Sequence, residues 1–464
     1  MFHFLIRHSK KIFALTALVG AAVLLLAPPA ILSPIETKTA ALAVVTISFW
    51  ATGIIPEHIT SLLFFLLAML FSIATPEVVF SGFASAAVWL VFGGLIIGVA
   101  IMSTGLGRRI ADWIAIRLHG SYLRIISGLV TTGVLFSFLM PSAMGRVVLL
   151  TPIAISIADH FGFKKGSKGR TGILLAIILG TFIPAFGILP ANVPNMILTG
   201  MAETQYHITF LYGPYLFLHF PVLGLAKAVL IVGLILWLYP DHPIAPPPRR
   251  EIGSHAPMTR NETILARTLV VMLLLWIFDF LHHISPAWIA LGGAVFLLFP
   301  GIDIVGKKQF NQKINWASIF FIAGILGLGG MINYSGLGQT LAAKIIALLP
   351  IGEGRDFVNY ASISFASALT GIATTLPGIP AVFTPLSETL ARTTGLPVKT
   401  VLMMQVIGFS TTIFPYQAPP IVIGMQLSGE KFASAAKLCA ILATITALFL
   451  LPINYFWWKL LGWF

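Results

Sequence analysis

The 464-residue chain is 58% hydrophobic and 9% charged, and it carries a net charge of +13. Soluble domains carry about 25% charged residues, so this composition excludes an ordinary soluble protein and predicts an integral membrane protein. The basic balance does not indicate nucleic-acid binding, because the charges are spread over many short loops, and cytoplasmic loops of membrane proteins collect lysine and arginine.

Eleven apolar segments approach the length of about 20 residues that a transmembrane helix needs. In chain order they are residues 12–33, 39–55, 59–75, 84–104, 171–200, 211–239, 263–281, 286–304, 315–335, 400–426 and 434–461. The first segment follows a short basic stretch, as a signal peptide would, but it continues to Leu32 without a clear cleavage site. We therefore interpret it as a retained span.

Two further apolar segments, residues 121–160 and 357–392, are interrupted near the middle by glycine, proline and polar residues. We predict that each is a re-entrant hairpin of two half-helices. Such hairpins are tolerated only where protein or a water-filled cavity surrounds them.

The charged loops predict the orientation. Lysine and arginine are concentrated in alternate loops, which favours a cytoplasmic N-terminus and places the C-terminus outside. The first hairpin then opens to the cytoplasm and the second to the outside. Residues 239–262 contain six prolines and several charges, and they form the predicted cytoplasmic linker between a first repeat, 1–238, and a second repeat, 263–464.

Three helix-breaking clusters occur twice, in the same order and at similar spacings. Gly105 returns as Gly336, and Thr151-Pro152 returns as Thr384-Pro385. The pair Pro190 and Pro194 returns as Pro415 and Pro419, with the same separation between the two prolines. Two repeats with broken spans are typical of secondary transporters, so the predicted fold is an all-α membrane protein of two inverted repeats.

The broken helices also predict the kind of ligand. Exposed helix N-termini carry partial positive charge that suits an anion, and freed carbonyls suit a small cation. The alternative is that glycine and proline merely kink ordinary spans, where both are common. The duplication of all three clusters favours the transporter.

Arg146 is a cation in the middle of an apolar segment. A charge at the bilayer centre costs about 2.5–3.5 kcal/mol on insertion scales. Between Asp112 and Asp159 the sequence has no carboxylate to pair with it. An anionic substrate would supply the missing charge, since a guanidinium binds a carboxylate or sulfate with two hydrogen bonds. Equally open is that Arg146 caps helix carbonyls or extends to the membrane surface.

Hydroxyls and amides near the predicted breaks are further candidates, with satisfaction of their own backbone as the alternative. They are Ser142, Thr370, Thr374, Thr375, Asn192, Asn195 and Gln417. The sequence contains no phosphate-binding loop, zinc motif or nucleophile elbow, so we expect no enzyme activity.

The chain resembles the divalent anion:sodium symporter family over nearly its whole length. The resemblance is carried by the glycine-rich stretch 91–111, by Ile314-Asn-Trp316 with Gly324 and residues 335–337, and by residues 50–56. That family has a Ser-Asn-Thr signature at each hairpin tip. The first tip here reads Ser142-Ala-Met144 and keeps only the serine.

The second tip lies within residues 370–380 and has no asparagine, and its alignment is open between Thr375 and Thr370. The broken-span pattern keeps Gly187, Pro194 and Asn195. Arg146 matches an arginine found after the signature in some carboxylate exchangers of the family.

The resemblance implies a site for substrate and a site for a coupling cation. The expected substrate-binding residues are Ser142, Ala143, Met144, Arg146, Thr374, Thr375, Asn195 and Gln417. The expected cation-binding residues are Ser142, Gly187, Thr370 and Ala418, with sodium as the possible coupling ion and no other cofactor.

The function that the resemblance implies is secondary active transport of a di- or tricarboxylate, sulfate or related anion. We expect sodium-coupled symport by an elevator mechanism in a homodimer, within a lipid bilayer that is a bacterial inner membrane. Spans one to four and seven to nine would form a scaffold, and the hairpins with the remaining spans a mobile transport domain. Surface helices near 107–118 and 338–349 would act as arms. The alternatives are a cation-independent or proton-coupled exchanger, and a non-transporting or channel-like component.

Overall fold

The computed structural model describes residues 2–115, 121–242 and 257–464. Within these residues the regular structure is helical and contains no strand, which confirms the predicted all-α fold. Seven of the described helices are long and apolar enough to cross a membrane, or eight if one bent pair is a single span. The central part of the predicted linker, 243–256, and the end of the first predicted arm, 116–118, lie outside the described residues.

The described helices of the first half precede the linker. They are α1 (Phe2–Leu26), α2 (Pro34–Thr52), α3 (Glu57–Leu70), α4 (Pro76–Val79), α5 (Ser81–Ala84), α6 (Ala86–Thr104), α7 (Leu106–Ala115), α8 (Tyr122–Leu139), α9 (Ala143–His160), α10 (Lys168–Phe182), α11 (Val193–Tyr206), α12 (Tyr212–His219) and α13 (Lys227–Leu238).

The described helices of the second half follow the linker. They are α14 (Arg260–Ile277), α15 (Asp279–His282), α16 (Pro286–Leu298), α17 (Lys307–Lys313), α18 (Trp316–Tyr334), α19 (Leu337–Leu348), α20 (Asp356–Ala373), α21 (Gly378–Phe383), α22 (Ser387–Thr394), α23 (Val398–Phe409), α24 (Pro419–Ser428), α25 (Phe432–Ile445) and α26 (Leu451–Leu460).

The fifth and tenth predicted spans are each broken in the middle. Short 3₁₀ turns at Pro184–Gly187 and Leu189–Ala191 separate α10 from α11, and a turn at Pro415–Gln417 separates α23 from α24. Proline has no backbone N–H and cannot continue the hydrogen-bond ladder of a helix, so the repeated prolines account for both breaks. We call these two segments the broken spans.

Each predicted hairpin contains a break between two helices near its middle. The second bends by 119° between α20 and the helices that follow, at residues 374–377. The first turns at residues 140–142, and both of its arms pack against α10. Each arm of the first hairpin has 18 residues, about 27 Å of helix, so its re-entrant path stays a prediction.

The repeated glycines occupy equivalent turns. Gly105 joins α6 to α7 with a φ of +83°, and Gly336 joins α18 to α19 with a φ of +82°. L-residues with a side chain rarely adopt this left-handed conformation, which explains why glycine recurs at both junctions. The sequence repeat therefore has a counterpart in the backbone.

A second pair of equivalent contacts was not predicted. Glu36 in the first half and Glu262 in the second each complete a capping box, at the start of α2 and of α14. Glu262 also accepts two hydrogen bonds from the Arg109 guanidinium on α7, at 2.8 and 3.0 Å. Glu36 accepts one from the hydroxyl of Thr340 on α19. We call these contacts the two arm latches. Each joins the cap of one half to the surface helix of the other.

Candidate functional site

One cavity of about 300 Å³ lies where both hairpin tips and both broken spans meet. Its lining includes residues 140–145 of the first tip and residues 375–377 of the second. Residues 192–194 and 417–420 of the broken spans complete this part of the wall. Parts of α6 and α18 also line the cavity. Its volume suits a small organic or inorganic ion.

Glycines on α6 allow the first tip to approach closely. A Cβ atom on Gly94 would lie 2.9 Å from the Cβ of Pro141, and one on Gly98 would lie 3.4 Å from the terminal methyl of Met140. Ser142 then caps α9, because its Oγ accepts a hydrogen bond of 3.1 Å from the Gly145 N–H. Ser142, Ala143 and Met144, three of the expected substrate-binding residues, all line the cavity.

The second tip is fixed to the tenth, broken span. The Leu376 N–H donates to the Gln417 carbonyl at 3.2 Å, and the Tyr416 hydroxyl donates to the Ile372 carbonyl at 2.8 Å. Thr375 lies at the tip and lines the cavity, whereas Thr370 lies inside α20 and donates to the Ala366 carbonyl. Thr375 therefore places a hydroxyl beside the cavity, as Ser142 does in the first hairpin.

Two buried amides stand at equivalent positions, each between the two repeated prolines of its broken span. Asn192 donates through Nδ2 to the Phe182 carbonyl, but its Oδ1 has no partner among the residues that the structure describes. Gln417 accepts through Oε1 from the N–H groups of Ile413 and Phe414, which leaves Nε2 unpartnered. Both residues line the cavity. An unsatisfied buried polar atom costs about 1–3 kcal/mol, so these amides indicate a polar ligand.

The electrostatics of the cavity come mainly from the backbone. The N-terminal ends of α9, α11 and α24 border it, and helix N-termini carry partial positive charge. The charged side chains in the lining are Lys313 and Glu57, both solvent-exposed, and much of the remaining wall is apolar. An anion with an apolar portion matches this environment.

Arg146 does not line the cavity. It is fully buried, and its guanidinium donates to the carbonyls of Met140, Thr181 and Ala191, the last two at 3.3 and 3.1 Å. These bonds join the second arm of the first hairpin to the fifth, broken span. The geometry corresponds to the carbonyl-capping alternative and differs from the expected contact with substrate.

Four other predicted residues lie away from the cavity. Asn195 donates to the carbonyls of Phe186 and Ile188, and Gly187 packs against Phe220. Thr374 donates to the Thr370 carbonyl and lines a separate small pocket. The predicted cation set of Ser142, Gly187, Thr370 and Ala418 is therefore not brought together, since only Ser142 and Ala418 reach the cavity.

The sequence motifs did not indicate the wall contributed by α6 and α18 or the polar residues Asn315 and Ser318 beside it. The sequence feature that could have indicated this wall is the pair Gly94 and Gly98, which lie one turn apart on the same face of α6. No three histidine, cysteine or acidic side chains cluster in the described part of the chain, so it shows no metal centre.

Comparisons with known proteins show the family and the fold that the chain shares. Residues 7–464 match the family described as the sodium:sulfate symporter transmembrane region, which confirms the resemblance seen in the motifs. The inner membrane protein YbhI of Escherichia coli is 24% identical, over 83% of each chain. The chloroplastic dicarboxylate transporter 2 of Spinacia oleracea is 24% identical, over 82% of this chain and 70% of its own.

A third relative, the L-tartrate/succinate antiporter of Escherichia coli, is 23% identical over 73% of this chain and 72% of its own. Among solved structures, the YdaH transporter of Alcanivorax borkumensis superposes with a TM-score of 0.52 at 18% identity. That match covers 85% of this chain and 89% of the other. At this identity it shows a shared membrane transporter fold.

Proposed function

The chain belongs to the sodium:sulfate symporter family, and we propose on that premise that it is a secondary transporter of a small dianion. Dicarboxylates and sulfate are the substrate classes that the family description and the named relatives suggest. We propose no catalytic activity for this protein.

The observation that carries the proposal is the convergence of both hairpin tips and both broken spans on one cavity. Three helix N-termini and two incompletely bonded amides border a volume that suits a four-carbon dianion. In transporters with broken helices, half-helix N-termini of this kind face the anionic groups of the substrate. We assign substrate contact to Ser142, Thr375, Asn192 and Gln417.

We further propose the elevator arrangement. The hairpins and broken spans pack together through α8, α9, α10 and α24 and through α20 and α23, while α6 packs on α16 and α18 packs on α3. The first group would form the transport domain and the second the scaffold, with α7 and α19 as the arms and residues 239–262 as the linker. A homodimer in a bacterial inner membrane with a cytoplasmic N-terminus completes the proposal, and the inner-membrane relative supports the location.

Two coupling modes follow from the relatives. The family name implies symport with sodium, whereas the tartrate/succinate relative is an antiporter that exchanges one anion for another. Both modes use the same cavity.

The test is anion exchange by purified protein in liposomes, with labelled succinate, tartrate and sulfate as probes. The decisive variant is Gln417→Glu, which keeps the oxygen that accepts from Ile413 and Phe414 and replaces the unpartnered amide nitrogen with a second oxygen. We expect it to fold and to lose uptake by at least about tenfold, because a negative charge beside the cavity repels an anion. Gln426→Glu, an exposed change on α24, is the matched control.

Uptake by Gln417→Glu equal to that of the parent would refute the assignment of this cavity as the substrate site.

A non-transporting or channel-like membrane component is the alternative function of another class. It would show an ohmic current without counterflow, or no anion movement with any of the three probes.

A further inference from the structure

Sodium coupling requires oxygen ligands that are free to bind a cation. In transporters with broken helices, coupling cations are held by unwound carbonyls and by the C-terminal ends of half-helices. In this chain those ends are the last residues of α10, near Thr181, and of α23, near Ser410. Whether a sodium ion fits there depends on what already contacts these carbonyls.

At the end of α23 the contact is a buried lysine. Lys227 is 1% exposed, and its Nζ donates to the Ser410 carbonyl at 2.7 Å and lies 3.0 Å from the Ser410 hydroxyl. Lys227 is the first residue of α13, near the middle of a 27-residue membrane-spanning segment, Tyr212–Leu238. A charged group at this depth is expensive and is usually functional.

No carboxylate neutralises Lys227 from the described helices that pack on α13. The described elements that pack most closely on α13 are α8, α10, α25 and the π-helical segment Phe220–Ala226, and none of them contains aspartate or glutamate. Their titratable residues are Tyr122, Arg124, Lys168, Arg170, Lys437 and Cys439. The partners that the structure gives to Lys227 are therefore the helix end and the hydroxyl of Ser410.

The equivalent end in the other half is also capped by a cation. Arg146 donates to the Thr181 carbonyl at the end of α10 and to the Ala191 carbonyl inside the break. Each broken span thus has a positively charged side chain on the carbonyls of its first half-helix. A sodium ion would have to displace these donors and approach a like charge, so the residues present do not fit it.

We propose that Lys227 and Arg146 are built-in cations that replace a mobile coupling ion at the two broken spans. The consequence, which rests on the proposed function, is that this chain moves its anion without sodium and works by exchange. Within its family it would then resemble an antiporter in coupling while keeping the fold of a symporter.

The first test needs no substrate. Thermal unfolding of the purified full-length protein is followed in sodium, potassium and choline chloride at equal ionic strength. A ligand that binds only the folded state raises the melting temperature by mass action, so we expect equal values in all three salts. A saturable rise with sodium alone would overturn the proposal, whether or not any anion is transported.

The second test uses exchange of labelled succinate, tartrate or sulfate in liposomes, with sodium or choline outside. We expect rates that agree within about twofold, since a cation that does not bind shifts no equilibrium. Sodium-dependent exchange overturns the proposal. Absence of exchange with every probe defeats the proposed function, and the unfolding experiment still decides the question of sodium.

The third test removes the positive charge of Lys227 from the Ser410 end of α23. Lys227→Gln removes the charge and should create a sodium-specific rise in melting temperature that the parent lacks, with the exposed Lys437→Gln as its control. A folded Lys227→Gln protein without that response shows that the Ser410 end is not a cation position and overturns the assignment. If Lys227→Gln does not fold, Lys227→Arg is tested in its place. This variant keeps the positive charge, so it must fold and its melting temperature must not respond to sodium.

Discussion

Replacing Arg146 with methionine should destabilise the fold as a whole. The side chain is fully buried and satisfies three carbonyls, those of Met140, Thr181 and Ala191. A buried carbonyl left unpaired costs about 1–3 kcal/mol. Part of the total is offset because the variant no longer buries a charge. The Thr181 carbonyl keeps the Ser137 hydroxyl as a second donor at 3.1 Å, so two carbonyls lose their side-chain donor and we expect a net loss of about 2–4 kcal/mol.

The assay is thermal unfolding of the purified protein in detergent. At about 2 °C per kcal/mol for a large domain, the melting temperature of Arg146→Met should fall by roughly 4–8 °C. Arg146→Lys should fall by less, because its ammonium can still reach some of the carbonyls. Arg124→Met is the control, since Arg124 is exposed on the first arm of the same hairpin.

The opposite result would refute the structural role. If Arg146→Met melts like the parent but loses stabilisation by anions, the guanidinium contacts substrate instead of the broken span. A fall in melting temperature together with retained stabilisation by anions supports the carbonyl-capping role.

Two further predictions concern the turn at Gly105 and the latch at Glu262. Gly105→Ala should lower stability by about 1–2 kcal/mol in thermal unfolding, because an alanine at a φ of +83° is strained although no atom lies within 4 Å of its Cβ. Gly233→Ala, an equally open position inside α13, should be neutral or stabilising, and equal losses at both sites would contradict the backbone argument. Glu262→Gln should weaken the latch to Arg109 and lower the melting temperature. Hydrogen bonds from the Arg109 guanidinium lower the pKa of Glu262 to about 2, below its unfolded value near 4.3, so the latch stabilises above pH 4.3 and is lost as the pH falls toward 2. The difference in melting temperature between parent and variant should therefore be equal at pH 7 and pH 5, and its disappearance by pH 5 would show that another group controls the contact.

The sequence predicted the large features because each of them has a strong local cause. Apolar length predicted the spans, and repeated prolines predicted both broken spans at the correct residues. The first glycine of the repeated Gly-Leu-Gly pattern, at residues 105–107 and 336–338, predicted equivalent turns, and Gly105 and Gly336 adopt nearly the same φ. These features depend on backbone chemistry that neighbouring residues determine.

The assignment of individual side chains depended on contacts that no local pattern contains. Asn192 and Asn195 lie close together on the same broken span, yet only Asn192 lines the cavity. The Asn195 amide instead donates to the carbonyls of Phe186 and Ile188. Lys227 lies within an apolar span that carries no recognisable motif, and its partner Ser410 is 183 residues away. Such long-range pairs are visible only in the folded chain.

The two broken spans have the same arrangement of a cationic side chain and an amide, and this arrangement also accounts for the altered hairpin tips. In each span a cationic side chain occupies the carbonyl end of the first half-helix, Arg146 on one and Lys227 on the other. In each span an amide with an unpartnered atom, Asn192 or Gln417, stands just before the second half-helix. The tips, by contrast, have apolar residues such as Met144 where the family has an amide or hydroxyl. We infer that polar recognition in this chain is concentrated at the broken spans. Its anion would then lie mainly between the N-termini of α11 and α24, with Ser142 and Thr375 as the polar contacts from the hairpin tips.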